Sequence, residues 1–222
     1  MLAAMHVEKF FSEADLREIE QAVRAAESRT SGEIVPYAVS HSDHYESAAW
    51  EGAALGAVAA AVVAGVARYF GDVWGVPSLA WILLPPAIGA ALGYLAAATI
   101  GPLKLALAGA AKVEHRVRQR ATAAFLDSEV FKTRGRTGVL IFLSLLERRV
   151  VVMADSGIHA RVEQNEWDSI VAGIVDGIRA GRPGNALAGA IARCGELLER
   201  HEVARAADDT DELPDTLQMR EE

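Results

Sequence analysis

Two long apolar segments without a charged side chain dominate the hydrophobic pattern of the chain. The first covers residues 52–67, and the second, LAWILLPPAIGAALGYLAAATIG, covers residues 79–101. The second alone matches the roughly 20 residues that a helix needs to cross about 30 Å of hydrocarbon; the first is shorter and richer in alanine. Because aromatic residues typical of membrane interfaces, Tyr69 and Phe70, follow the first segment, the pattern predicts a transmembrane helical hairpin over residues 50–101.

Small residues recur at every fourth position in both segments, a pattern that lets membrane helices approach closely. The glycines that we assign to helix packing are Gly52, Gly56, Gly89 and Gly93. Such faces pack the two helices together, or pack them against other membrane proteins or a second copy of the chain. The alternative is a buried hairpin of a soluble protein, but the rest of the chain is short for covering two such helices.

The segment before the hairpin has the pattern of a soluble protein. Ser12 caps a helix that starts at about Glu13 and has Asp15 at its third position. The β-branched run EIVPYAV at residues 33–39 predicts a short strand. Pro36 cannot donate a backbone hydrogen bond, so it favours an edge position or a bulge for this strand.

The segment after the hairpin predicts a long helix over residues 101–131, two strands and two further helices. The strands are expected at residues 139–146 and 149–154, and the first should be buried on both faces because it hardly alternates. The two helices carry apolar residues at helical spacing. These are Trp167, Ile170, Val171, Ile174 and Ile178 after a cap at Asn165, and, beyond a break at Gly181 and Pro183, Leu187, Ile191, Cys194 and Leu198.

This order of elements predicts an α/β fold with a small mixed sheet flanked by helices, an αβα sandwich with an inserted transmembrane helical hairpin. Residues 10–46 form the first part of the α/β domain, residues 103–202 form the remainder, and residues 203–222 form an acidic tail. Because a hairpin returns the chain to the side it left, the two parts share one compartment and fold together.

Positive charge after the second apolar segment predicts the orientation of the hairpin. The cations that crowd this side are Lys104, Lys112, Arg116, Arg118 and Arg120. Positively charged flanks stay in the cytoplasm, so we expect a bacterial inner-membrane protein whose N- and C-termini are both cytoplasmic. The same side chains either form a solvated surface or bind the anionic headgroups of the lipid bilayer.

Composition excludes several classes of protein. The formal net charge of −8 argues against a nucleic-acid partner, which would need a basic face. The single cysteine, Cys194, cannot form an internal disulfide, so nothing indicates an oxidising compartment. The N-terminal segment lacks the pattern of a cleaved signal peptide.

Three stretches of the sequence resemble the TPM domain family. They are FFSEADLREIEQAVRAAESRTSGEIVPYAV at residues 10–39, TGVLIFLSLLERRVVVMADSGI at residues 137–158, and DELPD at residues 211–215. The resemblance implies a TPM-like αβα sandwich. Acid phosphatase activity and calcium binding are associated with one plant branch of that family, so the resemblance also implies these as expectations. Most members carry a signal peptide and a C-terminal anchor, whereas here the anchor is inserted within the domain.

The candidates for chemistry are few. Asp155 follows a predicted buried strand, where ligand sites of α/β sheets form, and is the catalytic candidate; the alternative is that it caps the next turn. Oxygen ligands for calcium are available in the tail. They are Asp208, Asp209, Asp211, Glu212 and Asp215, whose alternative role is a solvated acidic surface.

Other reactive side chains favour structural roles. Cys194 and Arg200 have the C-x5-R spacing of cysteine phosphatases, but the residues between them are helical in pattern, so we expect a core cysteine. His41, Asp43 and His44 supply too few ligands for a transition metal. Arg134 and Arg136 either hold a phosphate or extend the basic surface.

Two functions remain open at this stage. The first is a membrane-anchored factor that binds other membrane proteins during assembly or quality control. The alternative is a metal-dependent, calcium-linked acid phosphatase that uses Asp155 with the carboxylates of the tail.

Overall fold

The computed structural model describes residues 7–71, 78–159, 161–201 and 213–220. Asp72 and Trp74 in the expected hairpin turn lie outside these residues. The chain forms two compact units. We call the unit that contains residues 43–115 the hairpin unit, and the unit formed by residues 3–42 and 116–222 the α/β unit.

The elements follow one another in the order helix, strand, long helices, hairpin of strands, helices and a last strand. The helices are α1 (Val7–Phe10), α2 (Glu13–Glu27), α3 (Glu46–Phe70), α4 (Ser78–Thr99), α5 (Gly101–Ala108), α6 (Ala110–Asp127), α7 (Ser156–His159), α8 (Gln164–Arg179) and α9 (Pro183–Arg200). A 3-10 turn covers Val130–Lys132, and the strands are β1 (Glu33–Val39), β2 (Gly138–Ser144), β3 (Arg149–Ala154) and β4 (Gln218–Arg220).

The four strands of the α/β unit form one mixed sheet in the order β3-β2-β1-β4. β1 runs parallel to β2, with Glu33 opposite Gly138 and Val39 opposite Ser144, and it also runs parallel to β4. β2 and β3, the two strands predicted after the hairpin, pair in antiparallel orientation. Every residue of β2 is buried, which confirms the expectation from its unbroken apolar run.

The sequence did not predict β4, and this strand changes the position of β1. β1 is not at the edge of the sheet, as Pro36 had suggested, because β4 pairs with residues Tyr37–Val39 on its outer side. Pro36 is tolerated because β4 begins to pair one residue later, at Tyr37. At Pro36 the strand therefore has a neighbour on one side only, as at a true edge.

One face of the sheet packs with α2, α8 and α9 in a single hydrophobic core. Ile34 of β1 and Ile141 of β2 lie on this face. α8 and α9 present the apolar stripes that the sequence predicted, for example Ile174 on α8, and α2 contributes Ile19 and Val23 to the same core. The start of α2 is also as predicted, since Ser12 and Asp15 form a reciprocal capping box.

Two helix boundaries differ from the predictions. The long helix expected over residues 101–131 is wrong because Gly109, with φ +80°, ends α5 and separates it from α6; glycine adopts such an angle at little cost. Asn165 is not the cap of α8: the cap is Glu163, two residues earlier, and the helix begins at Gln164. The predicted break before α9 is confirmed, since Gly181 has φ +73°.

Two helices of the hairpin unit are long and apolar enough to cross a membrane. They are α3, with 25 residues, and Leu79–Thr99 of α4, each with a mean hydropathy of 1.7. Only 6% of the most apolar stretch of α3 and 0% of that of α4 is buried among the described residues, so both stretches are largely exposed. α4 stays helical through Pro85 and Pro86.

Candidate functional site

Asp155 lies at the end of β3 and caps the turn into α7. Its Oδ1 accepts hydrogen bonds from the backbone N–H of Ser156 at 2.6 Å and from the Ser156 hydroxyl at 3.2 Å. Its Oδ2 is buried and accepts no hydrogen bond from the described residues, while Arg136 Nε lies 3.5 Å away. Asp155 is thus a structural cap with one carboxylate oxygen left near a single cation.

The described residues do not bring a calcium site together. Asp208, Asp209, Asp211 and Glu212 lie outside the residues that the structure describes. Asp215 is 12% exposed, and its Oδ2 accepts a hydrogen bond from Arg24 Nε at 2.8 Å, which raises the pKa of the guanidinium.

The sheet topology also separates Asp155 from Asp215. Asp155 follows β3 and Asp215 precedes β4, strands at opposite edges of the sheet and about 14 Å apart at the usual strand spacing. Among the described residues no cluster of three metal-ligating side chains occurs. These carboxylates therefore do not fit a shared cation.

Cys194 is a core residue, as predicted. It is fully buried on α9, and burial raises the pKa of its thiol to about 12. Arg200, at the end of the same helix, pairs with Glu166 at 3.4 Å. A phosphatase cysteine needs a phosphate-binding loop and a lowered pKa, so this pair carries no such chemistry.

The five cations predicted to lie beside the membrane are distributed over both units. In the hairpin unit, Lys104 is half-buried and Lys112 Nζ donates a hydrogen bond to Ser47 Oγ at 2.6 Å. In the α/β unit, Arg116 and Arg118 are exposed on α6, whereas Arg120 is half-buried.

The four predicted packing glycines meet inside the hairpin unit. A Cβ atom on Gly52 would lie 2.6 Å from that of Ala97, and one on Gly93 would lie 3.2 Å from Gly56 Cα. Gly56 and Gly89 approach through their backbones. The small-residue faces are therefore occupied by the contact between α3 and α4.

A buried polar cluster lies where β1 and β2 end. The Glu147 carboxylate accepts hydrogen bonds from the backbone N–H of Ser42 at 2.9 Å and from the Ser144 hydroxyl at 2.5 Å. The hydroxyls of Ser42 and Ser144 are 2.6 Å apart. Glu147 is only 6% exposed, so these bonds compensate the burial of its charge.

A cleft beside this cluster is a candidate site of the α/β unit. Its volume is about 290 Å³, and it lies between α1, the C-terminal part of α8 and the turn that joins β2 to β3. The apolar side chains that line it are Phe10, Leu143, Leu145, Val150, Val175 and Ile178. Ser144 also lines it.

Three arginines complete this lining, and we call the whole site the arginine-rimmed cleft. They are Arg148, Arg149 and Arg179, all exposed. Arg179 lies 3.6 Å from the exposed Asp176. Neither Arg148 nor Arg149 forms a side-chain hydrogen bond or ion pair with a described residue. The cleft thus joins an apolar interior to two cations that form no ion pair with a described residue.

Comparison with known proteins gives one informative likeness. No family model and no curated protein matches the sequence. The NMR structure of the BA42 protein from the psychrophilic bacterium Bizionia argentinensis is similar, with a TM-score of 0.57, 19% identity, and coverage of 96% of this chain and 98% of that chain. The two proteins share a fold. At this identity the likeness extends to the fold alone.

Sequence reasoning missed both the Glu147 cluster and the arginine-rimmed cleft. A usable signal was present in LLERR at residues 145–149, where a glutamate and two arginines interrupt two apolar strands. In open α/β sheets, ligands bind beyond the carboxyl ends of the strands. Recognising that β1 and β2 are parallel would have directed attention to this turn rather than to Asp155.

Proposed function

We propose that the chain is a two-span protein of the bacterial inner membrane whose TPM-like αβα domain binds other membrane proteins as an assembly or quality-control factor. The observation that carries the membrane part is the exposed apolar surface of α3 and α4. Val63 is 68% exposed and Leu79 is 65% exposed, and neighbouring leucines and isoleucines of both helices are similarly exposed. Burying such a surface in lipid is strongly favourable.

The pairing of strands in the α/β unit supports a hairpin whose two ends lie on the same side of the membrane. β1 precedes α3 and β2 follows α6, yet the two strands pair along seven residues. A chain that crossed the membrane once between them could not form this sheet. Together with the cations that follow α4, this pairing supports the proposed cytoplasmic location of both termini.

The binding part of the proposal is supported by the arginine-rimmed cleft. It is concave, largely apolar and carries two arginines without partners among the described residues, which are properties of a recognition site. The TPM assignment in this proposal rests on the sequence resemblance of residues 10–39, 137–158 and 211–215.

Topology and binding have separate tests. Reporters fused to the N- and C-termini should both indicate the cytoplasm, and the protein should stay in the membrane fraction after an alkaline wash. Reporters on opposite sides would overturn the proposal. The binding test is crosslinking of the chain to its partner proteins in membranes. These crosslinks should disappear in Val175→Trp, whose side chain fills the cleft. They should persist in the control Gly189→Trp, because a Cβ on Gly189 meets open space.

The second candidate function is the calcium-linked acid phosphatase. The observation in its favour is the buried Oδ2 of Asp155, which accepts no hydrogen bond from the described residues. The full chain in mild detergent should be assayed with a generic phosphate ester, with and without calcium, beside Asp155→Asn. If the unmodified chain hydrolyses the ester and Asp155→Asn does not, the enzymatic function is supported and the binding function is rejected.

A further inference from the structure

The charge on the rim of the arginine-rimmed cleft selects an anion. Arg148 and Arg149 are adjacent, exposed and without an ion pair among the described residues, although the chain as a whole carries a net charge of −8. The nearby Glu147 carboxylate accepts hydrogen bonds from Ser42 and Ser144. Guanidinium groups bind carboxylates through paired, charge-assisted hydrogen bonds, so a carboxylate is a fitting ligand for this rim.

The size and lining of the cleft restrict what carries that carboxylate. Its volume of about 290 Å³ is at the lower end for ligand pockets. It accommodates one large apolar side chain, whereas a phospholipid with two acyl chains is too large. Because the arginines border the apolar lining directly, the ligand must present an apolar group and a carboxylate a few bonds apart.

The neighbouring strand offers a partner for a peptide backbone. Arg149 and Val150, which line the cleft, are the first residues of β3. β3 is an edge strand that pairs only with β2 in the described part of the chain. An extended peptide can add to such an edge through main-chain hydrogen bonds, with pockets providing specificity.

We propose that the arginine-rimmed cleft binds the C-terminal residue of a partner membrane protein. An apolar terminal side chain enters between Val150 and Ile178, and the α-carboxylate is held by Arg148 and Arg149. This inference rests on the proposed binding function and names the part of the partner that is recognised. A C-terminal residue supplies the apolar group and the carboxylate on one carbon atom, which an internal segment does not.

Fluorescence anisotropy of the full chain in mild detergent tests the inference. The probe is a labelled Gly/Ser-rich decapeptide that ends in leucine with a free carboxylate. We expect the same peptide with a C-terminal amide, and a version that ends in serine, each to bind about tenfold more weakly, or ~1.4 kcal/mol. Equal binding of the acid and the amide would overturn the inference.

Variants separate the cleft from general charge effects. Arg148→Gln with Arg149→Gln should weaken binding of the free-acid peptide by more than about tenfold, whereas Arg17→Gln, which removes an exposed arginine of α2, should leave it unchanged. Equal losses in both variants would contradict recognition in the cleft. Circular dichroism of each variant establishes that it is folded. Octanoate that displaces the peptide as well as unlabelled peptide does would indicate a small-molecule site instead.

Failure of this inference differs from failure of the proposed function. If Val175→Trp abolishes crosslinking to partner proteins while the acid and amide peptides bind equally, the cleft binds partners through another segment and only the C-terminal recognition is wrong. If neither partners nor peptides depend on the cleft, both proposals are wrong.

Discussion

Gly56 and Gly89 bring the two apolar helices into backbone contact. A Cβ atom on Gly56 would lie 2.9 Å from the carbonyl carbon of Gly89, and a Cβ atom on Gly89 would lie 2.9 Å from the carbonyl carbon of Gly56. Both distances are below those of ordinary van der Waals contact. The two helices must therefore separate if either glycine gains a side chain.

Gly56→Ala is expected to destabilise the hairpin. Overpacking of a close contact costs about 1–3 kcal/mol, which exceeds the gain of about 1 kcal/mol in helix propensity. The matched control is Gly65→Ala in the same helix, because a Cβ there meets nothing within 4 Å. Unfolding of the full chain in mixed micelles, monitored by circular dichroism during titration with dodecyl sulfate, measures both variants. Similar effects of the two changes would contradict this packing.

Cys194 is expected to make stability fall at alkaline pH. Burial raises the pKa of its thiol from 9.0 to about 12, so between these values the unfolded chain loses a proton that the folded chain keeps. The free energy of unfolding contributed by the thiol is fully present below pH 9 and is lost as the pH rises toward 12. At pH 10.5 the loss is about 2 kcal/mol, at 1.36 kcal/mol per unit.

Denaturant unfolding of the full chain and of Cys194→Ala at several pH values measures this loss. The alanine variant retains the pH dependence of all other groups, so the difference between the two curves isolates the thiol. Maleimide should also fail to label native Cys194 at pH 8, because the reactive thiolate is absent. Rapid labelling under native conditions, or parallel curves for the two proteins, would contradict the buried thiol.

Local patterns in the sequence predicted local structure well. Ser12 and Asp15 predicted the start of α2, and the apolar runs predicted β2 and β3. These features are decided by residues that are neighbours in sequence. β4 was not predicted because its three residues, which follow an acidic stretch, are too few to show a hydrophobic pattern. Their strand conformation comes from the open side of β1, to which Met219 pairs opposite Ala38.

The candidate site was harder to predict because it depends on long-range contacts. Ser42 and Ser144 are 102 residues apart in sequence and meet only because β1 and β2 are parallel neighbours. Asp155 was identifiable as the end of a strand, but β3 is antiparallel to β2, so Asp155 lies at the opposite end of the sheet from the Glu147 cluster. Strand direction, which the sequence did not specify, decides which loops share a site.

Glu147→Ala should destabilise the α/β unit by about 2–3 kcal/mol, since it removes two hydrogen bonds to a buried carboxylate and leaves the Ser42 N–H without that acceptor. Glu147→Gln keeps an acceptor and should cost less. Glu199→Ala is the control for removing a glutamate, because Glu199 is exposed on α9 and makes no ion pair among the described residues. Chemical denaturation gives the three values. A loss for Glu147→Ala no larger than that for Glu199→Ala would contradict the cluster.

Deletion of residues 218–222 should weaken the sheet, although the sequence alone suggested only an acidic tail there. Without β4, residues Tyr37–Val39 lose their outer strand partner, and the core loses Met219, which packs against it. Lost ladder hydrogen bonds and apolar burial together cost about 2 kcal/mol. Deletion of Glu221 and Glu222 alone is the control, because it leaves β4 intact. Hydrogen exchange of the Tyr37–Val39 amides should accelerate only in the longer deletion; unchanged exchange there would show that β1 does not depend on β4.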